Sequence, residues 1–173
     1  MSSIVLLLCV FATLGAIDIG YFHIYRFKLY RVPHSRGEQV THLLRTTLFI
    51  LAMSCALFVR ADGPWSALLP SILAVDFLNS MIDVLLEPGS RAGMGGLPGG
   101  EYAVHMLTMF ISGAILALAV QRSVLAWSEP AFVGLRLLQA PPAVLAAGVQ
   151  VLVLSALFLL IETAAFVRAL IRR

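Results

Sequence analysis

A chain of 173 residues, 60% hydrophobic and only 12% charged, is too apolar for a soluble globular domain, which is closer to half apolar and a quarter charged. So short a chain cannot bury that excess in a core, so lipid must solvate much of it. A net charge of +3 without any basic block excludes a nucleic-acid surface, and two cysteines, both inside apolar runs, exclude a disulfide framework or zinc ribbon.

The first apolar run, IVLLLCVFATLGAI (4–17), has an uncharged start in Met1-Ser2-Ser3 and no convincing small-x-small cleavage site after it. It reads as a membrane helix rather than a signal peptide. A spanning helix needs about 20 mostly apolar residues. Segments near 3–22, 37–60, 67–88, 101–121 and 141–168 meet that need. The expected fold is an all-α integral membrane protein: one domain, 1–173, with a bundle of about five transmembrane helices. Between the first two helices runs a basic, aromatic connection, FHIYRFKLYRVPHSR (22–36), suited to anionic headgroups. An ADGPWS turn (61–66), a glycine-rich loop (88–100) and a stretch at 122–142 that lies partly on the outer surface complete the chain.

The positive-inside rule sets the expected orientation. Arg26, Lys28, Arg31, Arg36, Arg91, Arg168, Arg172 and Arg173 fall on one side, against Arg60, Arg122 and Arg136 on the other. The N-terminus is then outside and the C-terminus cytoplasmic, with the bacterial inner membrane as the expected location.

This topology gathers the ionisable residues at one depth. Helix 1 ends with Asp18, with His23 just beyond. Helix 2 starts with His34, Glu38 and His42. Helix 3 ends with Asp76, Asn79, Asp83 and Glu87, and helix 4 starts with Glu101 and His105. All four histidines and six of the nine acids lie at this level, on four helices. Residues four apart share a helix face, and seven or eleven apart return close to it. Asp76, Asp83 and Glu87 therefore form one stripe, and such costly groups should face a polar interior. Asp18, Asp83 and Glu87 sit at helix C-termini, where the dipole disfavours an acid, so a cation should offset them.

Local explanations compete with a site. Ser35-x-x-Glu38 has the form of a capping box, and Glu101 follows Gly99-Gly100 as a favourable first-turn acid. Arg36, Arg45 and Arg91 offer a structural ion-pair network. Four histidines with five or six carboxylates nevertheless exceed what arginine pairing accounts for, and the mix suits a metal site. About nine candidate ligands favour two divalent ions over one tetrahedral zinc. The expected ligands are Glu38, His42, Asp83, Glu87, Glu101 and His105, completed by Asp18, His23 and His34. Asp76, Asn79, Arg45 and Glu162 are expected to support them, with Asp76 about 10 Å deeper than Asp83. The two Glu-x-x-x-His pairs should set the ions between helices 2 and 4, each His giving its second ring nitrogen to an outer hydrogen bond. Arg91, in the loop of six glycines at 88–100, is expected to hold an anion such as a lipid phosphate, the loop alternatively being a plain connection or a lid.

Imidazole and carboxylate without thiolate suit iron, manganese or zinc, with iron slightly favoured by the acids. The expectation is a membrane-embedded metalloenzyme acting on a lipid or other hydrophobic substrate. Iron would oxidise it with oxygen and electrons from a partner protein; zinc would hydrolyse it by activating water. A metal or proton transporter, a b-type cytochrome and a structural subunit are the alternatives.

Overall fold

The computed structural model describes residues 1–171. Arg172 and Arg173, two of the charges used for orientation, lie outside the described residues. Helices dominate: α1 (Ser2–Ile17), α2 (Arg36–Phe58), α3 (Leu68–Arg91), α4 (Gly99–Ala126) and α5 (Pro142–Ile171). Five helical spans, the first prolonged to Arg26 and the third beginning at Gly63, are long and apolar enough to cross a membrane.

The first span departs from the expected helix 3–22. It does not stop near 22 but widens at Asp18 into a π-helical segment, Asp18–Arg26, so His23 lies inside the helix rather than beyond it. Such i→i+5 turns are rare and concentrate at functional sites. Here the widening brings residues five apart over one another, whereas in an α-helix they would point about 140° apart. Asp18 and His23 thereby face the same way, and both are buried.

Two further boundaries move. Helix α3 passes through Pro88, where a proline normally ends a helix, and continues to Arg91. Most of the expected loop at 88–100 is thus helix, a single turn at Ala92–Met94, and the start of α4. At the far end α2 gives way to a short strand, β1 (Val59–Asp62), which pairs antiparallel with β2 (Phe132–Leu135) from Val59↔Leu135 to Asp62↔Phe132. This ribbon ties the α4–α5 connection to the end of α2. Gly63 follows it with φ +61°, and a Cβ there would stand 2.8 Å from the Glu129 carbonyl oxygen, so the corner requires glycine.

The core divides by chemistry along the bundle. Val5, Leu8, Met53, Leu57 and Ile115 are fully buried in the half nearest the ribbon. Phe11 and Phe49 stack there with centroids 6.0 Å apart. In the other half the buried residues include a cluster of ionisable ones, Asp18, His23, Glu38, His42, Asp83, Glu87, Arg91 and Glu101, beside apolar Ile19, Phe22 and Leu29. Helix α5 packs against α1 and α2, yet Gly148 is its one buried residue and 6% of its most apolar window is buried.

Candidate metal centre

Apart from Asp18 in the π-helical segment, the carboxylates at this level are brought together by ordinary helix geometry. Glu38 and His42 are one turn apart on α2, Glu101 and His105 one turn apart on α4, and Asp76, Asp83 and Glu87 form a stripe on α3. Of the local explanations, the first-turn placement of Glu101 is borne out, but the capping box at Glu38 is not. Ser35, at the start of α2, makes no side-chain cap; its hydroxyl donates to the Leu29 and Val32 carbonyls. Glu38 instead accepts from Arg91 Nη1 at 2.9 Å and from the Ser90 hydroxyl. Glu101 accepts from Arg91 Nη2 and approaches His23 Nε2 at 3.1 Å.

His23 occupies the centre. Its Nε2 lies 3.1 Å from Glu101 Oε1, 3.6 Å from Asp18 Oδ1 and 3.6 Å from Glu38 Oε1. His42 stands edge-on to it, ring centroids 4.5 Å apart. His42 Nε2 is 3.9 Å from Glu38 Oε1 and 3.6 Å from Asp83 Oδ2. Two sets could each hold an ion: Asp18, His23, Glu101 and His105; and His23, Glu38 and His42, with ligand atoms in each set within 4.8 Å of one another.

The distances separate hydrogen bonds from something else. Ligands about 2.0–2.1 Å from one tetrahedral ion stand roughly 3.3–3.4 Å apart. The His23–Glu38, His42–Glu38 and His42–Asp83 separations of 3.6–3.9 Å are too long for hydrogen bonds but close to such polyhedron edges. Consistently, Glu38 Oε1, Asp18 Oδ1 and both ring nitrogens of His42 are buried without a hydrogen-bond partner. An orphaned buried polar atom costs about 1–3 kcal/mol, and a cation could satisfy the two carboxylate oxygens and one nitrogen of His42.

His105 behaves differently. Its Nε2 is 2.9 Å from Asp18 Oδ2, and Nδ1 approaches Glu87 Oε1 at 2.8 Å without the alignment of a hydrogen bond. Flanked on both sides by acids, it resembles the offsetting cation that the C-terminal carboxylates call for more than a free ligand.

Several expected positions are corrected. His34 is exposed in the single turn Pro33–Ser35 and joins neither set. Arg91 does not reach toward a headgroup: it is 1% exposed, clamped between Glu38 and Glu101, with the Phe27 ring 5.3 Å from its guanidinium carbon. The continuation of α3 past Pro88 puts it there. The outer hydrogen bond expected of His42 is absent, since Nδ1 has no partner. The ligand groups also extend beyond a site between α2 and α4, because the π-helical segment places His23 in both. Of the supporting residues, Arg45 reaches Asp76 at 4.0 Å and Asp83 at 3.9 Å, and Asn79 donates to the Thr41 carbonyl at 2.9 Å. Thr41 and Ser90, which donate to Asp83 and Glu38, have no signal in the sequence beyond helical spacing from neighbouring acids.

Charge gives an independent count. Six buried carboxylates (Asp18, Glu38, Asp76, Asp83, Glu87, Glu101) face two guanidinium groups, Arg45 and Arg91. Four negative charges remain with neutral imidazoles, or three if His105 is protonated. Isolated buried charge costs several kcal/mol per ion, so the cluster needs either protonated carboxyls or further cations to balance it.

Beside the cluster is a cavity of about 190 Å³, walled mainly by apolar side chains of the first span, α2 and α5. His23, Glu38 and His42 form its inner wall; Glu162 lines it from α5. Glu162 Oε2 is buried without a partner. A comparison with family models, with curated proteins and with solved structures finds no match for the chain.

Proposed function

We propose that this protein is a membrane-embedded metalloenzyme with a dinuclear His/carboxylate centre at the cytoplasmic end of its bundle, acting on a lipid or another hydrophobic molecule. The observation that carries the reading is the set of unpartnered ligand atoms, Glu38 Oε1 and His42 Nε2, beside an apolar cavity. Two divalent ions would bring the buried charge to neutral or one positive; a single ion would not. The carboxylate-rich donor set favours iron, with manganese and zinc as the alternatives. Iron would supply oxygen-dependent oxidation and zinc would supply Lewis-acid hydrolysis. Within this reading His23 would ligate one ion of the pair, Arg91 fixes Glu38 and Glu101, and Glu162 is placed to hold or pass a proton across the cavity. An oxidase would draw electrons from a partner protein, because the described residues form no cofactor-binding domain.

The competing functions fit less well. A transporter needs a polar path to the other end, but the fully buried Leu8, Met53, Leu57 and Ile115 pack that half. A b-type cytochrome needs two imidazoles on opposite faces of a porphyrin; His23 and His42 are in edge contact and leave no room for one. A structural ion-pair network is favoured by one observation, the triple engagement of Arg91 with Glu38, Glu101 and His23.

Elemental analysis decides. Protein purified without added metal should carry about two ions per chain, and Glu38→Gln or His42→Ala should lower that number without unfolding the bundle. A folded protein that binds no metal, even when offered iron or zinc, would leave the ion-pair network as the explanation.

A further inference from the structure

Outside the metal cluster, three cationic side chains at the same end of the molecule have no acidic partner among the described residues. Arg31 comes from the connection into α2, Arg36 from the first residue of α2, and Arg168 from the last turns of α5. All three line one hollow of about 500 Å³, together with Tyr30, Gln39, Ala165 and Phe166. Those last four residues also line the apolar cavity beside His23, Glu38 and His42. The two spaces therefore share a wall. One is basic and open, and the other is apolar and ends on the candidate ligands.

Gln39 is held in place where they meet: its amide nitrogen donates to the Leu29 carbonyl at 2.7 Å and to the Ser35 hydroxyl at 3.0 Å. Neither bond uses its side-chain oxygen. A polar hinge between a cationic mouth and a greasy interior matches the chemistry of a molecule with an anionic head and a hydrocarbon body. Isolated surface arginines would not by themselves imply a ligand. Here the charge is matched to a cavity whose far wall carries groups that no protein partner satisfies.

We propose, resting on the metalloenzyme reading, that the substrate is an anionic amphiphile, such as a lipid with a phosphate head. Its head binds Arg31, Arg36 and Arg168, and its chain enters the cavity toward His23 and His42.

The test uses the full-length protein, metal-loaded as purified, in neutral detergent. Binding of phosphatidylglycerol, of phosphatidylcholine and of inorganic phosphate is measured at low ionic strength, and metal content is measured on the same samples. Phosphatidylglycerol should bind well above phosphatidylcholine. Replacing Arg31, Arg36 and Arg168 together by Gln should weaken it on the order of a hundredfold, at about fivefold per arginine near a surface. Ala165→Trp, which fills the cavity, should abolish lipid binding while leaving metal content unchanged. Equal binding of the two lipids, an indifferent triple variant, or inorganic phosphate competing as well as the lipid would each overturn the proposal. Absence of metal from all samples would instead remove the metalloenzyme reading, whatever the lipid does, so the two failures are distinguishable.

Discussion

Two buried side chains, His42 and Arg91, separate site from scaffold most sharply. Both ring nitrogens of His42 are unpartnered, whereas Arg91 is engaged by Glu38, Glu101 and His23. In protein stripped of metal by a chelator, His42→Leu should therefore raise stability by about 1–3 kcal/mol, because it removes an orphaned polar group. Arg91→Met should lower it by about 3–5 kcal/mol, because it leaves buried carboxylates uncompensated. Thermal denaturation of both variants checks the pair, and a destabilised His42→Leu would show that the imidazole is a packing residue. In metal-loaded protein the order for His42 should reverse. Much of this level can be read from the sequence, since helical spacing alone places Glu38 with His42, Glu101 with His105, and Asp83 with Glu87. Arg91 cannot be placed that way, because glycine and proline around it signal a loop, and only tertiary packing keeps α3 helical past Pro88. Nor can His34 be ruled out from sequence, as it is one turn from Glu38 yet falls before α2 begins.

Helices were the legible elements, because 20-residue apolar runs have one stable form in lipid. The short ribbon between β1 and β2 has no such signal: its residues, VRAD and FVGL, are as consistent with loop as with strand. The π-helical segment is likewise invisible to a periodicity argument, which assumes one angle per residue throughout. Yet it is the element that admits His23 to the cluster. Helix α5 makes a different kind of contact. A Cβ at Gly148 would stand 3.0 Å from side-chain carbons of Leu57 and Val5, so this glycine sets how closely α5 approaches α1 and α2. Gly148→Leu should push α5 outward and lower the thermal midpoint by several degrees, a cost of about 1–3 kcal/mol for overpacking. Metal content should not change, since all the candidate ligands reside on the first span and on α2 to α4. Parallel melting and elemental analysis test this, and loss of metal in Gly148→Leu would mean that α5 holds the cluster together.

At the scale of the whole molecule, the proposed orientation rests on arginine and lysine asymmetry. Cysteines introduced at Pro64 and Gly95, in a background lacking Cys9 and Cys55, should react with an impermeant reagent from opposite sides of sealed vesicles. Labelling from one side would end the five-span topology. The two halves of the core would then need another account, because the charged half is proposed to face the cytoplasm. The same division explains why most of the fold and only part of the site is legible: apolar residues announce the lipid-facing helices individually, whereas a buried polar cluster is a property of four segments meeting.

The exposure of most of α5 has one more consequence. The cluster is fixed by residues on the first span and on α2 to α4, each constrained by several partners, so few substitutions there leave it working. The cavity's opposite wall comes from α5, whose Ile161, Ala165 and Phe166 have little packing to preserve. Mutation can therefore vary what the cavity accommodates while the chemistry stays constant. Descendants of this chain are free to diverge in selectivity along a single helix, and variation concentrated at those three positions is the record such a history would leave.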